Sequence, residues 1–242
     1  MSYIENPKTQ NSGIVCCIPH KTSCPMKCLD CFFQSGKSYL EPLEQNLPNM
    51  PDVSHVGDRL VRVNDGNDSS YEMDMVLEAT KCYPKRFYNT SIPKNLGKFV
   101  EPVVLTLNPA GMTDKDIHVL PTIPKNLMFV RVRMNTWNLL VVDKAVDYYT
   151  SKDVPVVLTF MAYYDESSIS LDYKRDYIYR KRTLNSYWAI TTDAWRNIMD
   201  RYKNNLRVYS CGKIEGERGK TSCKYCGNCL REYFANKEKI KR

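Results

Sequence analysis

Three cysteines within eight positions give this chain its clearest capacity for metal chemistry. They read Cys24-Pro-Met-Lys-Cys28-Leu-Asp-Cys31, so their spacing is C-x3-C-x2-C. Thiolates at this spacing can hold three irons of a cubane 4Fe–4S cluster and leave the fourth iron without a protein ligand. A structural zinc site is the alternative, with His20 or Cys17 as its fourth ligand. The loop therefore predicts a metal centre whose fourth position is either open or closed.

A second group of four cysteines lies near the C-terminus and consists of Cys211, Cys223, Cys226 and Cys229. Four thiolates suit tetrahedral zinc, and the C-x2-C-x2-C spacing of the last three also suits a second 4Fe–4S cluster. We expect a second metal centre of one of these two kinds.

The composition is that of a globular protein, because 43% hydrophobic and 26% charged residues are enough to build a buried core. The start of the chain lacks the features of a signal peptide, and no run of about 18 apolar residues could span a bilayer. We therefore expect a cytoplasmic protein, whose reduced thiols favour metal binding over disulfides. The formal charge of +8 suggests an acidic partner such as nucleic acid or a phosphorylated substrate.

Six short apolar runs rich in β-branched residues predict strands of a parallel sheet, buried on both faces. They cover residues 14–18, 59–63, 86–89, 102–107, 127–134 and 154–161. A further short strand is expected at 206–209, before the second cysteine group. Strands that alternate with helices predict an α/β protein with a parallel sheet or partial barrel.

Three amphipathic helices are predicted between these strands. The first follows a capping box formed by Ser69 and Glu72, the second is capped by Thr136, and the third is capped by Thr192. A charged helix is expected at 230–242. Residues 1–205 are expected to form the main domain, and residues 206–242 a small C-terminal Cys-rich metal-binding extension.

With its first cysteine group directly after the first predicted strand, the chain resembles the radical S-adenosylmethionine (radical SAM) superfamily. The resemblance implies a partial (β/α)6 TIM-like barrel, with SAM bound to the open iron. It also implies an electron donor such as flavodoxin or ferredoxin, cleavage of SAM to methionine and a 5′-deoxyadenosyl radical, and hydrogen abstraction from a substrate. The sequence departs from the family at Asp30, where an aromatic residue usually helps to seat the adenine, so Phe32 or Phe33 would have to substitute.

Polar residues near the predicted strand ends are the candidates for contacts with SAM. Asn64 and Asp68 stand where the family commonly has a Gly-Gly-Glu-like segment that holds the methionine amine, although a simple turn explains them equally well. Asn108 follows the fourth strand, and Arg131 or Arg133 of the fifth could pair with the methionine carboxylate. Alternation places the two arginines on one face, but it does not say whether that face is inside.

The substrate is the least determined part of this prediction, and no catalytic side chain is assigned. Residues 172–182 interleave tyrosines with cations, a pattern that suits stacked bases and phosphates, although a solvated helix packed on the barrel is the alternative. Three functions therefore stay open. They are a radical SAM enzyme acting on a nucleotide or nucleic acid, the same chemistry on a peptide or protein, and a non-catalytic zinc protein that binds nucleic acid.

Overall fold

The computed structural model describes residues 2–28, 31, 33, 38–108, 117–181, 186–212 and 223–241. In these ranges the strands are β1 (Ile14–Cys17), β2 (Leu60–Val63), β3 (Arg86–Thr90), β4 (Val103–Leu107), β5 (Leu127–Met134), β6 (Val156–Phe160), β7 (Tyr177–Arg180), β8 (Tyr187–Ile190) and β9 (Val208–Ser210). Seven of them form one parallel sheet in the order β1-β2-β3-β4-β5-β6-β9, while β7 and β8 form an antiparallel hairpin. The parallel sheet curls into a half-barrel.

The α-helices in the described ranges are α1 (Leu43–Asn46), α2 (Val53–Val56), α3 (Met73–Thr80), α4 (Leu139–Ser151), α5 (Thr192–Arg201), α6 (Cys223–Cys226) and α7 (Asn228–Lys241), and short 3-10 helices lie at Leu96–Lys98, Glu166–Ser168 and Leu171–Asp176. Each of these helices is too short or too polar to cross a bilayer.

The six predicted strands of the parallel sheet are confirmed, and their ends lie within two residues of the prediction. The α/β class and the parallel sheet are therefore confirmed. The further short strand predicted at 206–209 is also present, as β9 at Val208–Ser210, and it joins the sheet as the seventh strand by pairing with β6. Closure into a TIM-like (β/α)6 barrel stays a prediction.

The parallel sheet has two faces with different neighbours. Its outer face packs against α3, α4 and α5 and forms the larger hydrophobic core, to which Val130 and Val132 of β5 belong. Its inner face carries a smaller apolar cluster shared with α7: Leu60, Phe87, Val104, Met128, Phe129, Val157 and Tyr233. Each fully buried apolar side chain contributes about 1.5–3 kcal/mol, so burial stabilises both faces.

The predicted capping box before α3 is wrong. Helix α3 begins after Glu72, which adopts a left-handed conformation with φ 49° and gives no side-chain cap. Ser69 is engaged elsewhere, because its hydroxyl accepts a hydrogen bond from Asn64 Nδ2 at 3.0 Å. The polar residues of this segment therefore organise the loop after β2 and do not start the helix.

The caps predicted for the next two helices are also displaced. Asn138, and not Thr136, is the N-cap of α4, and its side chain accepts the Asn135 N–H at 3.1 Å. That bond closes a turn and delays the helix by two residues. Helix α5 is capped one residue earlier than predicted, by Thr191, whose hydroxyl accepts the Ala194 N–H at 3.2 Å.

The C-terminal segment returns to the inner face of the sheet. Helix α7 begins two residues before its predicted start, and Asn236 Nδ2 donates to the carbonyls of Lys125 and Leu127 at 3.0 and 3.1 Å. Lys237 pairs with Glu101 at 2.7 Å. The predicted extension therefore starts with a strand of the main sheet and ends with a helix packed on its inner face.

Candidate metal centres

The first cysteine group lies in the loop after β1, at the carboxyl end of the parallel sheet. The three cysteines are half-buried, and the Cys31 N–H donates to the Cys28 carbonyl at 3.1 Å. Burial raises the pKa of the Cys24 thiol to about 11, and the charges of Asp68, Cys28 and Cys31 add to this. A hydrogen bond from the Met26 N–H opposes the rise. A metal would have to displace the proton of this thiol to bind it.

As the atoms stand in the described ranges, no three Cys, His, Asp or Glu side chains meet closely enough to hold a metal ion. The thiols of either cysteine group would therefore have to move to share one metal centre.

The two side chains that could have closed the fourth position are occupied or turned away. His20 is fully buried, with Nε2 3.0 Å from the Tyr71 carbonyl and Nδ1 3.3 Å from Asn64 Oδ1. Its ring also stacks on that of Tyr71, with the ring centroids 5.5 Å apart. Cys17 is fully buried in the outer core. A zinc ion in the loop would have to break existing contacts to gain either ligand.

The loop after β2 holds the first two candidates for SAM contacts. Asn64 is only 2% exposed and has a left-handed φ of 58°. Its N–H donates to the Cys17 carbonyl at 2.8 Å, and its side chain contacts His20 and Ser69. The Asn64 side chain thus links the cysteine loop to the end of β2.

The Asp68 carboxylate joins the ends of β2 and β3. Its Oδ1 accepts from the Ser70 N–H at 2.9 Å and from the Thr90 hydroxyl at 2.6 Å. Its Oδ2 accepts from the Ser91 N–H at 2.6 Å and from the Ser91 hydroxyl at 2.8 Å. A carboxylate has about four acceptor positions, so these bonds use its capacity. The geometry favours a role for Asp68 in holding the loops in place, and a direct contact with the SAM amine stays a prediction.

Phe33 is the one candidate for the adenine contact that the structure describes, since Asp30 and Phe32 lie outside the described residues. Its ring is 8% exposed and packs in a loop cluster that includes Leu40, Leu43 and the partly buried Cys31. Phe33 therefore anchors the loop that carries the cysteines. Its contact with adenine stays a prediction.

The packing of β5 defines the face on which its two arginines lie. Val130 and Val132 face the outer core, so Arg131 and Arg133 lie on the inner face with Phe129. Both arginines are half-buried. Asn108, the other candidate at a strand end, directly follows β4 and is also half-buried.

Two inner-face residues of neighbouring strands were not predicted from the sequence. Asn89 of β3 accepts a hydrogen bond from Arg131 at 2.9 Å and donates to the Val63 carbonyl at 2.9 Å. Arg62 of β2 lies on the same face, because its neighbours Val61 and Val63 belong to the outer core. Period-two alternation along β2 and β3 could have indicated both positions, once the inner face was known.

The second cysteine group is distributed over the end of β9, α6 and α7. Cys211 directly follows β9, and its N–H donates to the Leu158 carbonyl of β6 at 2.8 Å. Asn228 Nδ2 donates to the Ser210 carbonyl at 2.9 Å and so fixes the start of α7 against β9. Cys229, in the first turn of α7, packs with Cys211 against the inner cluster.

The thiols of this second group differ in the direction in which their pKa values are shifted. A hydrogen bond from Cys226 lowers the pKa of Cys211, and Arg131, Arg62 and Thr159 act in the same direction against burial. The same hydrogen bond raises the pKa of Cys226. The hydrogen bond that the two thiols share therefore moves their pKa values in opposite directions.

Comparison of the chain with models of known protein families, with curated proteins and with solved structures found no match. The functional assignment therefore depends on the chain's own residues.

The helix considered for the tyrosine- and cation-rich segment after β6 is present over its first half only, because Leu171–Asp176 forms a 3-10 helix and the chain then continues as strand β7. In the hairpin, the ring centroids of Tyr179 of β7 and Trp188 of β8 are 5.5 Å apart. Lys174 pairs with Glu166 at 3.0 Å. Tyr179 is 50% exposed, so part of its ring is accessible at the surface.

Proposed function

We propose that this chain is a radical SAM enzyme that holds a 4Fe–4S cluster through Cys24, Cys28 and Cys31. It would cleave SAM reductively to methionine and a 5′-deoxyadenosyl radical, which takes a hydrogen atom from the substrate. One observation carries the proposal. The C-x3-C-x2-C loop stands at the carboxyl end of β1 in a curled parallel sheet, and neither His20 nor Cys17 is placed to complete a zinc site.

The chemistry of the three thiolates fits such a cluster, which when bound would supply an electron and an iron with an open coordination position. The carboxyl ends of parallel strands are where barrels place their reactive groups, and a partial (β/α)6 TIM-like barrel is part of the proposal. The inner face would limit the access of water to a radical, because its apolar cluster packs against α7.

The chain's own residues would position SAM beside this loop. Asp68 fixes the ends of β2 and β3, and Asn64 fixes the cysteine loop against β2. Arg133 is the better placed of the two inner arginines for the methionine carboxylate, because it is nearer the carboxyl end of β5. Asn108 at the end of β4 and Phe33 complete the proposed set.

The proposal includes a second metal centre at Cys211, Cys223, Cys226 and Cys229, either a 4Fe–4S cluster or zinc. It also includes a cytoplasmic location and an electron donor such as flavodoxin or ferredoxin. A nucleotide or nucleic acid is favoured slightly over a peptide or protein as the substrate, because the chain carries a formal charge of +8 and partly exposes Tyr179.

The test is anaerobic purification, measurement of iron and sulfide, reduction, and assay of 5′-deoxyadenosine formed from SAM. Cys24→Ala, Cys28→Ala and Cys31→Ala should each abolish the product, because each removes a ligand of the cluster. Cys82→Ala is the matched control, since Cys82 is exposed and lies outside both cysteine groups. Product formation that survives Cys24→Ala, or zinc in place of iron at this loop, would overturn the proposal.

The alternative is a non-catalytic zinc protein that binds nucleic acid, and the four C-terminal cysteines favour it because four thiolates suit tetrahedral zinc. This alternative requires a colourless anaerobic preparation that contains zinc, contains no iron and forms no 5′-deoxyadenosine.

A further inference from the structure

Two buried donor atoms lie on the inner face of the sheet; the first has no hydrogen-bond partner among the described residues, and the second has the Cys211 thiol within reach. They are Arg62 Nε on β2 and Thr159 Oγ1 on β6. A buried polar atom without a partner costs about 1–3 kcal/mol, so most buried polar groups in folded proteins are paired. Arg62 Nε therefore indicates an acceptor that the described residues do not offer in their present arrangement, and Thr159 Oγ1 identifies a thiol as the kind of acceptor this face provides.

The strand register brings Thr159 next to the second cysteine group. Leu158 of β6 pairs with Ser210 of β9, so the residues that follow them, Thr159 and Cys211, are neighbours across the two strands. Leu158 belongs to the outer core, which places Thr159 and Cys211 on the inner face. A hydrogen bond from the Thr159 hydroxyl to the Cys211 thiol is the smallest of the causes that lower the pKa of Cys211.

Arg62 approaches the same group from the other side of the inner face. Its strand neighbour Leu60 belongs to the inner cluster, against which Cys229 packs. The charges of Cys16 and Asp65, and after them those of Cys223 and Cys229, raise the pKa of Arg62. Arg131 is a second cation on this face, and it has Asn89 as a hydrogen-bond partner.

The chemistry of a metal thiolate centre matches these donors. Four thiolates around a dipositive zinc ion or cluster core leave a net charge of about −2, concentrated on the sulfur atoms. Partly buried anionic sulfur needs positive charge and hydrogen-bond donors nearby, and such neighbours commonly decide metal affinity and reduction potential. A guanidinium and a hydroxyl supply both.

We propose that Arg62 and Thr159 donate hydrogen bonds to the sulfur atoms of a metal centre held by Cys211, Cys223, Cys226 and Cys229. Arg131 adds a second positive charge beside it. This inference rests on the second metal centre of the proposed function and is independent of the first cysteine loop. It makes these three side chains positioning residues for the metal and gives the polar part of the inner face a specific role.

The test uses the full-length chain with Cys24, Cys28 and Cys31 all changed to Ala, so that the C-terminal group is the remaining clustered site. Anaerobic titration with Co(II) reports thiolate ligation directly, through the intense sulfur-to-cobalt charge-transfer absorption. Arg62→Met and Thr159→Val should each weaken Co(II) binding by about 10- to 100-fold, the usual effect of removing a donor to a metal ligand.

Two matched controls separate this effect from general destabilisation. Arg207→Met removes a surface arginine that pairs with Asp153. Thr106→Val makes the same change as Thr159→Val, but on the inner face of β4. The register partner of Thr106 is Arg131 of β5, so two strands, β5 and β6, separate Thr106 from β9. Both control variants should bind Co(II) as the parent does. Arg62→Lys, which keeps the charge but loses the Nε donor, should bind with intermediate affinity.

Equal Co(II) affinity for Thr159→Val and Thr106→Val would overturn the inference, and so would equal affinity for Arg62→Met and Arg207→Met. If Arg62→Met fails to fold by circular dichroism, Arg62→Lys and Thr159→Val decide the question. The absence of charge-transfer absorption in the parent chain would overturn this inference and leave the SAM proposal standing. Conversely, the expected affinities in a protein that forms no 5′-deoxyadenosine would support this inference alone.

Discussion

The ring of Phe33 lies directly against the backbone of Gly66, so closely that a Cβ at Gly66 would stand 2.2 Å from Phe33 Cζ. Phe33 belongs to the loop that carries the first cysteine group, and Gly66 belongs to the loop after β2. The contact therefore fixes the height of the cysteine loop over the sheet. Only glycine leaves room for it, because even one added methyl group would overlap the aromatic ring.

We expect Gly66→Ala to displace Phe33 and to destabilise the protein by about 1–3 kcal/mol, the usual cost of overpacking. Because Cys31 packs in the same cluster as Phe33, the displacement should also lower the iron content after anaerobic reconstitution. Urea unfolding and iron analysis measure the two effects. Gly97→Ala is the control, since nothing lies within 4 Å of a Cβ there. The double variant Phe33→Leu/Gly66→Ala should recover part of both losses, and the absence of any recovery would contradict this account.

Asp68→Asn should destabilise the protein by about 1.5–3 kcal/mol, because it removes the charge that strengthens the bonds from Thr90 and Ser91. The N–H group of the Asn side chain would also face the N–H and O–H donors that now bond to the Asp68 carboxylate. Urea unfolding at neutral pH measures the loss. Asp58→Asn is the matched control, since the Asp58 side chain is fully exposed and its pair with Lys85 is long at 3.8 Å. Equal stability of the two variants would show that Asp68 does not hold these loops together.

Arg133→Met should weaken SAM binding by about tenfold or more, while Arg131→Met should change it little. Both side chains lie on the inner face, but Arg133 is two residues, or about 6–7 Å, closer to the carboxyl end of β5. Equilibrium binding of SAM to the reconstituted protein measures the difference. The reverse order of effects would assign the carboxylate contact to Arg131, which we place beside the second metal centre.

Metal-free protein should lose stability as the pH rises above about 8.5, the pKa of a thiol in the unfolded chain. Burial raises the pKa of Cys17 well above its ordinary value, with smaller contributions from Asp65 and Cys82. A raised folded-state pKa contributes stability that is fully present below the unfolded pKa and is lost as pH rises towards the folded one. Urea unfolding at pH 7 and pH 10 should show a smaller decline for Cys17→Ala than for Cys82→Ala. An identical decline in both variants would contradict the prediction.

Local sequence determined much of the fold, because strand and helix periodicity depends on neighbouring residues. The β-branched runs at Val103–Leu107 and Leu127–Met134 carry their burial pattern in the order of their residues, and the structure confirms both strands. The spacing of Cys24, Cys28 and Cys31 is equally local, and it alone motivates the choice of chemistry.

Helix starts were less predictable, because polar side chains there had competing partners. Ser69 could cap a helix by its sequence position, yet the hydrogen bond from Asn64 draws it into the loop after β2. The αL backbone of Glu72 likewise belongs to the folded loop and has no signature in its sequence neighbours.

Tertiary structure alone decided what surrounds the candidate sites. His20 is hydrogen-bonded to the Tyr71 carbonyl, which lies 51 residues further along the chain. The hydrogen-bonded pair Asn89 and Arg131 is separated by 42 residues, and the pair Asp68 and Thr90 by 22. The direction of Arg131 also depended on which face the helices cover. The sequence determined the groups able to bind metal, since their spacing is short-range. Their partners and exposure came from the parallel crossovers of the sheet, which bring distant segments together and have no local pattern.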